Sequence, residues 1–327
     1  MLERIPYRGW NNAYRLSNGT VALIVLADVG PRIISYRFIG EENQLHEVEA
    51  DTGQLGGSDF RLYGGHRLWV SPELESTYFP DNVPVEVSEQ GNKVRFTAPV
   101  EESPPGKSLQ KDFEVELASS GSEVSITHHL TNHNRSAIQL APWAPTMLRP
   151  GGKGILPLPP KAAMDNDHYQ SVGVLAMWSF TDLADSRWVF GTEHIQLKQL
   201  SEPTGRFKEQ MGGIYNPAGW GAYYRDGHLF VKRAPVIAGA RYPDFGCNFE
   251  VFTNPDCLEL ETLGPLQELG PKESIVHSER WWLFSNVPNG AGDDWVRSVI
   301  LPLIENQTSS VVCRPTQTLY LPVMPFP

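Results

Sequence analysis

The stretch FEVELASSGSEVSITHHL, residues 113–130, decides the fold class of this chain. Apolar and polar residues alternate on both sides of a Ser-rich turn at 119–122, and a period of two is typical of strands buried on one face. The same alternation surrounds a turn at 90–92, and two apolar runs, residues 21–26 and 33–38, flank another turn. These repeated units of strand, turn and strand predict an all-β, mostly antiparallel protein, either a sandwich or a barrel.

Helical periodicity is nearly absent from the chain. Its best instance is residues 293–300, where Asp293 and Asp294 can cap a helix that Pro302 is expected to limit. The 29 glycines and 27 prolines are spread along the sequence, and no shift in composition divides it. We therefore predict a single β domain over residues 1–287, followed by a C-terminal tail, residues 288–327, with a short helix that packs on the domain.

Composition narrows the classes of function. A formal net charge of -11 argues against nucleic-acid and anionic-membrane partners, which need basic patches. Cys247, Cys257 and Cys313 have no metal-ligand spacing, and the phosphate-binding glycine motifs are missing, so we expect neither a metal nor another cofactor. The N-terminus lacks the apolar core of a signal peptide. The sequence thus predicts a cytoplasmic monomer or homodimer that acts on a small molecule.

The Gly- and Pro-rich stretch of residues 64–84 is a candidate site. It brings together His66, Arg67, Trp69 and Glu73, which can hydrogen-bond the hydroxyls of a polyol and stack on its apolar face. A loop so rich in these side chains is more typical of a site than of a connector. In the alternative interpretation, the aromatic residues of this stretch only cover the end of a sheet.

Two carboxylates form the second candidate. In the stretch CLELETLGPL, residues 257–266, Glu259 and Glu261 lie on one face of a predicted strand and the leucines between them on the other. Residues i and i+2 are about 6.6 Å apart on such a face. Carboxylates this close repel one another, which raises one pKa and favours a general base. The alternative is a solvated face of an edge strand.

Four further residues are candidates for binding a sugar. Trp143, between two prolines, can stack on a pyranose ring, although core packing explains a tryptophan equally well. Lys232 leaves an apolar strand, and Asp244 and Asn248 follow in a polar loop; for these three a packing or surface role is as strong an interpretation. His128 shares the apolar face of its strand and is predicted to point inward.

Taken in order, these segments resemble the galactose mutarotase-like superfamily of β-supersandwich proteins, in an uncharacterised bacterial branch. The resemblance rests on GGHRLW with PDN (residues 64–69 and 80–82), on LAPW with a Gly-Gly pair (140–143 and 151–152), and on the stretch from YPDFGCNFE to LELETLGP (242–265). It spans roughly residues 10–285. The implied fold is a β-supersandwich, and the implied ligand is a carbohydrate.

The resemblance also implies a chemistry. In aldose 1-epimerases a carboxylate removes the proton of the anomeric hydroxyl and a histidine protonates the ring oxygen. The resemblance places the base at Glu261, with Glu259 as the alternative, and one site histidine near His66. The chain departs from the family pattern where a second histidine is expected, because the segment reads APWAP, residues 141–145, with Trp143.

Three hypotheses follow from this departure. In the first, the protein is an isomerase of the aldose 1-epimerase type, with Glu261 as base, His66 or Lys232 as acid, and Arg67 and Trp143 orienting the sugar. In the second it is a non-catalytic carbohydrate-binding module. In the third a lyase or hydrolase uses the same cleft.

Overall fold

A computed structural model of the protein describes residues 1–102 and 108–308. Its regular structure is mostly antiparallel strands, as the sequence predicts. Residues 309–327 of the predicted C-terminal tail, including Cys313, lie outside the described residues. The described strands in chain order are β1 (Leu2–Tyr7), β2 (Trp10–Ser17), β3 (Val21–Leu26), β4 (Arg32–Phe38), β5 (Trp69–Ser71), β6 (Glu86–Gln90), β7 (Lys93–Thr97), β8 (Glu101–Glu102), β9 (Ser108–Leu117), β10 (Val124–Asn132), β11 (Ile138–Leu148), β12 (Lys153–Pro157), β13 (Leu175–Met177), β14 (Trp188–Phe190), β15 (His194–Lys198), β16 (Gln210–Ile214), β17 (Trp220–Arg225), β18 (His228–Arg233), β19 (Phe249–Thr253), β20 (Leu258–Leu263), β21 (Gln267–Leu269) and β22 (Ser274–Phe284).

The strands form three antiparallel sheets. The first sheet has four strands in the order β1-β2-β3-β4. The second has eleven, in the order β14-β15-β12-β17-β18-β22-β10-β9-β7-β6, with β8 paired to β9. The third has seven, in the order β13-β16-β19-β20-β11-β21, with β5 paired to β11. Every strand pairing among the described residues is antiparallel, which makes the protein an all-β sandwich.

The main core lies between the large sheets. Alternate residues of the two hairpins predicted from the sequence, such as Phe96, Phe113 and Ile126, point into it and are fully buried. Leu258 and Leu260 of β20 reach the same core from the seven-stranded sheet. A sandwich buries the inner face of each sheet in this way because successive side chains of a strand point to opposite sides.

A short extended segment at residues 64–67 joins the four-stranded sheet to the seven-stranded sheet. The His66 backbone bridges Ile33 of β4 on one side and Thr146 of β11 on the other. Gly64 and Gly65 have positive φ, and a Cβ on Gly65 would lie 2.2 Å from the carbonyl oxygen of Ile33. Only glycine fits such a close approach of two backbones.

Helices cover one outer face of the eleven-stranded sheet. Two 3₁₀ helices, Glu49–Asp51 and Glu75–Tyr78, lie in connections, and the C-terminal region forms α1 (Gly292–Trp295), a π-helical turn (Val296–Ile300) and α2 (Leu301–Thr308). Trp295, Val296 and Ile300 pack on Trp220 and Trp282 of that face. The helix continues beyond Pro302 to Thr308, contrary to the limit predicted from the sequence, and the π-helical turn Val296–Ile300 lies immediately before this proline. No helix in the described part of the chain has the length and apolar character needed to span a membrane.

We predict that Gly65→Ala destabilises the protein much more than the same change at a free turn. Gly227 is the matched control, since its φ of +78° resembles the +70° of Gly65 but a Cβ there would meet nothing within 4 Å. The control should lose about 1–2 kcal/mol of unfolding free energy, the cost of the left-handed backbone alone. Gly65→Ala should lose at least about 2 kcal/mol more, measured by chemical denaturation. Equal losses would contradict the close approach described above.

Candidate functional site

The face of the seven-stranded sheet that points away from the main core forms the floor of a cleft of about 370 Å³. Three glutamates, seven aromatic side chains and four other residues line it. They are Glu73, Glu259, Glu261, Phe60, Trp69, Tyr78, Trp143, Trp178, Phe180, Phe252, Leu62, Met147, Met211 and Asn254. A concave site of this size, mostly apolar with a few convergent polar groups, is typical of small-molecule binding.

Strand register explains how these side chains meet. Trp143 of β11 lies opposite both Trp69 of β5 and Leu263 of β20. Glu261 lies opposite Pro145 in β11 and opposite Glu250 in β19. Residues directly opposite in antiparallel strands share a face, so all of these side chains point to the cleft side of the sheet.

Glu259 and Glu261 form a closely coupled carboxyl pair. Burial and the neighbouring Glu259 carboxylate raise the pKa of Glu261 well above its usual range, although the Trp143 indole N–H donates to its Oε2. Burial raises the pKa of Glu259 to about 7, against the opposing effects of Arg67 and of a hydrogen bond from Glu261. Burial thus raises the pKa of both carboxyls, so the pair keeps a proton at a higher pH than exposed glutamates do.

A second carboxyl pair, which the sequence did not reveal, lies beside the first. Glu250 is 1% exposed, and burial together with Glu261 and Asp244 raises its pKa well above the usual range. Asp244 hydrogen-bonds with Glu250 and accepts from the Ser71 hydroxyl at 3.3 Å. The sequence Phe249-Glu250-Val251-Phe252 indicates a strand that contains a glutamate. Only the pairing of β19 with β20 shows that this glutamate lies next to Glu261.

Aromatic rings form the wall of the cleft next to the carboxyl pair. The ring centroids of Trp69 and Trp143 are 5.0 Å apart, and Tyr78 lies 5.4 Å from Trp69 and 5.2 Å from Phe60. The Tyr78 hydroxyl donates to Glu73 at the rim. Such rings offer flat surfaces for the C–H face of a sugar.

Arg67 lies behind this wall and does not line the cleft. Its guanidinium sits 4.7 Å from the ring centroid of Trp69, and it is 5% exposed. It donates to the carbonyl oxygens of Arg61 and Leu62. Burial, with Arg32 close by, lowers the pKa of Arg67 to about 9. Its position stiffens Trp69 rather than presenting a donor to a ligand.

His66 and Lys232, the two residues considered as acids, are not at the cleft. His66 pairs with Thr146 in β11, whereas Trp69 pairs with Trp143. Residues 143 and 146 of one strand point to opposite faces, so the side chain of His66 points to the core side of the sheet. Both side chains are fully buried. They belong to a group that we call the buried cluster: His66, His128, Lys232, Glu279, Thr146 and Thr262. Glu261 and His66 therefore lie on opposite faces of one sheet.

Hydrogen bonds in the buried cluster assign a proton to each ring nitrogen of its histidines. His128 Nδ1 faces the carbonyl oxygen of His277 at 3.1 Å and must donate, so His128 Nε2 accepts. His66 Nε2, 2.8 Å away, is then the donor, and His66 Nδ1 accepts from the Thr146 hydroxyl at 2.9 Å. Thr146 in turn accepts from Lys232. Both histidines are neutral in this scheme, and His128 points inward as predicted from the sequence.

The charges of the buried cluster balance. Lys232 Nζ lies 2.9 Å from Glu279 Oε1, and both side chains are fully buried. Burial alone would raise the pKa of Glu279, but the Lys232 ammonium beside it holds that pKa well below its usual range. Burial lowers the pKa of His66 and lowers that of His128 to about 3.

Ligand atoms of His66, His128 and Glu279 lie within 4.8 Å of one another, a spacing that could hold a metal ion. Two observations weigh against that use. The hydrogen bonds already satisfy these atoms, and an added divalent ion next to Lys232 would leave a net positive charge in the core. The buried cluster is better explained as a neutral polar network that ties β10, β18 and β22 to β11 and β20.

Asn248 is also a framework residue. Its side chain donates to the carbonyl oxygen of Asn216 at 3.0 Å and accepts from the Asn216 N–H at 2.7 Å. Of the ten residues predicted from the sequence, the cleft brings together five: Trp69, Glu73, Trp143, Glu259 and Glu261. Trp178, Phe180 and Phe252 were missed, because nothing in the local sequence separates them from core aromatics.

Comparisons with known proteins agree on the fold. The Slr1438 protein from Synechocystis sp. PCC 6803 superimposes with a TM-score of 0.52 at 13% identity, over 88% of this chain and 99% of that one. A galactose mutarotase-like protein from Lactobacillus casei ATCC 334 gives 0.56 at 10% identity, over 84% and 100%. A candidate aldose 1-epimerase from Escherichia coli K12 gives 0.53 at 14% identity, over 84% and 99%.

No protein-family model matches the chain, and a comparison with curated proteins finds no match. Identities this low establish the fold alone. The chain therefore has the galactose mutarotase-like fold that its sequence resembles.

We predict that Glu261→Gln stabilises the protein increasingly as pH rises. A carboxyl whose folded pKa is raised favours the folded state below its unfolded pKa, and that contribution is lost as pH rises toward the folded value. The difference in unfolding free energy between variant and wild type should grow by up to about 1.4 kcal/mol per pH unit between pH about 4.5 and the folded pKa. Chemical denaturation at several pH values from 5 to 8 measures this difference. A difference independent of pH would contradict the raised pKa of Glu261.

We also predict that Lys232→Met is strongly destabilising. The change leaves the Glu279 carboxylate buried without its cation, which typically costs about 3–5 kcal/mol. The double variant Lys232→Met, Glu279→Gln removes both charges and should recover part of that loss. If the double variant is as unstable as the single one, the ion pair does not account for the loss. Unfolding free energies at neutral pH provide the measurement.

Proposed function

We propose, from the galactose mutarotase-like fold and the side chains of its cleft, that this protein binds a carbohydrate and transfers protons at its anomeric centre. The observation that carries the proposal is the Glu259–Glu261 carboxyl pair, which lies buried at the floor of an aromatic cleft where burial raises the pKa of both groups. A sugar stacked on Trp143 or Trp69 would place its ring edge over this floor. Proton transfer then needs no histidine.

In the proposed mechanism the two carboxyls act together. The Glu259 carboxylate removes the proton of the anomeric hydroxyl while the Glu261 acid protonates the ring oxygen, and the bond between C1 and the ring oxygen breaks. The open-chain aldehyde then rotates about the bond between C1 and C2. For closure the roles exchange, with Glu261 taking the proton from the ring hydroxyl and Glu259 returning one to the aldehyde oxygen. Both protons are restored at the end of the cycle, as acid–base catalysis requires.

Trp143 supports this assignment. Its indole N–H donates to Glu261 Oε2, which holds the carboxyl in one orientation and favours its ionised form during closure. Trp143, which occupies the position where the family pattern has a histidine, thus contacts Glu261, the residue that the resemblance implies as the base. His66 has no place in the proposed mechanism, because the sheet separates it from the cleft.

We expect the protein to accelerate the exchange of α and β anomers of an aldose that binds the cleft, and Glu261→Gln to reduce this acceleration by about 10²–10⁴-fold. Saturation transfer between the two anomeric proton signals measures the exchange rate across a panel of neutral, amino and phosphorylated sugars. Glu75→Gln is the matched control, since Glu75 is exposed in the 3₁₀ helix beside the cleft but does not line it.

Two results would contradict the catalytic proposal. Full activity in Glu261→Gln would remove the carboxyl pair from the mechanism. Sugar binding without acceleration for any member of the panel would favour a binding module, a second candidate suggested by the observation that no histidine is among the described residues lining the cleft.

A further inference from the structure

The charged residues that line the cleft are all acidic among the residues that the structure describes. Glu73, Glu259 and Glu261 line it, and no lysine, arginine or histidine does so among the described residues. The second carboxyl pair, Asp244 and Glu250, lies directly beside them. A phosphate or carboxylate on a ligand would be repelled by the ionised members of this group, whereas a cation would be attracted.

The nearest cations do not offset this charge from within the cleft. Arg67 stands behind Trp69, and its Nη1 has no hydrogen-bond partner. Lys232 lies on the other face of the sheet and is paired with Glu279 at 2.9 Å. Arg67 lowers the pKa of Glu259 from behind the aromatic wall, but no basic side chain among the described residues reaches into the cleft itself.

Aromatic rings provide a second feature that suits a cation. Trp69, Trp143, Tyr78 and Phe60 form a connected wall with ring centroids 5.0–6.1 Å apart. The faces of such rings carry negative charge density and attract ammonium groups, most strongly at sites shielded from water. Carboxylates next to aromatic faces are the two partners that an organic ammonium group needs.

An unused acceptor points the same way. Glu250 is 1% exposed, and its Oε1 has no hydrogen-bond partner within the part of the chain that the structure describes. The register of β19 with β20 sets Glu250 opposite Glu261, on the cleft side of the sheet. Buried polar atoms normally have a partner, and this oxygen, on the cleft side of the sheet, is left able to accept from a donor.

We infer that the cleft selects ligands carrying an organic ammonium group, so that among carbohydrates it prefers protonated amino sugars to neutral sugars and excludes phosphorylated and acidic ones. This inference rests on the proposed function for the carbohydrate part of the ligand. It names the class of carbohydrate, protonated amino sugars, which the fold alone does not indicate. The preference follows from the charge and the rings of the cleft, and it does not depend on whether the carboxyl pair is catalytic.

Matched ligands test the selectivity. Glucosamine, N-acetylglucosamine, glucose and glucose 6-phosphate share one ring and differ in charge, and tetramethylammonium carries the charge without the sugar. We expect glucosamine to bind at least about tenfold more tightly than its N-acetylated form, with no binding of the phosphate, in calorimetry at pH 6.5. Added salt should reduce the difference, because part of it is electrostatic.

The variant Glu73→Gln removes one cleft carboxylate at the exposed rim, where the fold does not depend on it. It should reduce the preference for glucosamine over N-acetylglucosamine several-fold, whereas Glu75→Gln should leave the preference unchanged. Thermal melting confirms that both variants are folded.

The outcomes separate this inference from the proposed function. Equal binding of glucosamine and N-acetylglucosamine, or tighter binding of glucose 6-phosphate, would overturn the cation selectivity and leave the carbohydrate proposal intact. If tetramethylammonium binds but none of the sugars does, the result would support the cation selectivity and overturn the carbohydrate proposal. Failure of every cationic probe to bind would overturn the inference.

Discussion

The alternation of side chains across the seven-stranded sheet is the constraint on which the rest of the structure depends. Along β20, Glu259 and Glu261 point to the cleft, and Leu260 and Thr262 point to the core. One layer of backbone thereby separates two polar systems with opposite properties. On the core side, charges are paired and hydrogen bonds are satisfied. On the cleft side, carboxyls crowd together and share protons.

The sequence predicted those features that depend on local pattern. Period-two alternation predicted both hairpins, the inward side chain of His128 and the shared face of Glu259 and Glu261, because each needs only the geometry of a single strand. The resemblance added the fold. A local pattern cannot give the partner of a strand, so the pairing of Glu250 with Glu261 and that of Lys232 with Glu279 could not be foreseen.

His66 shows how composition can mislead. Two preceding glycines suggested an open loop, yet these glycines are present because two backbones approach closely at residues 64–67. The segment is extended and bridges two sheets, so its side chains alternate like those of a strand. Arg67 and Trp69 point one way and His66 the other. The Pro-rich segment around Trp143 is likewise part of β11, since a proline can occupy a strand where its nitrogen is not required to donate.

The helices at residues 292–308, which cover one face of the eleven-stranded sheet, have a consequence for the folding of the chain during its synthesis. Their last buried residue, Ile304, packs with Trp220 and Trp282 on a face that earlier residues leave apolar. During synthesis, the ribosome releases the strands of all three described sheets before it releases the helices at residues 292–308. The apolar stripe of this sheet therefore stays uncovered until residues 292–304 have been made, and a chain shortened before them would expose it to aggregation.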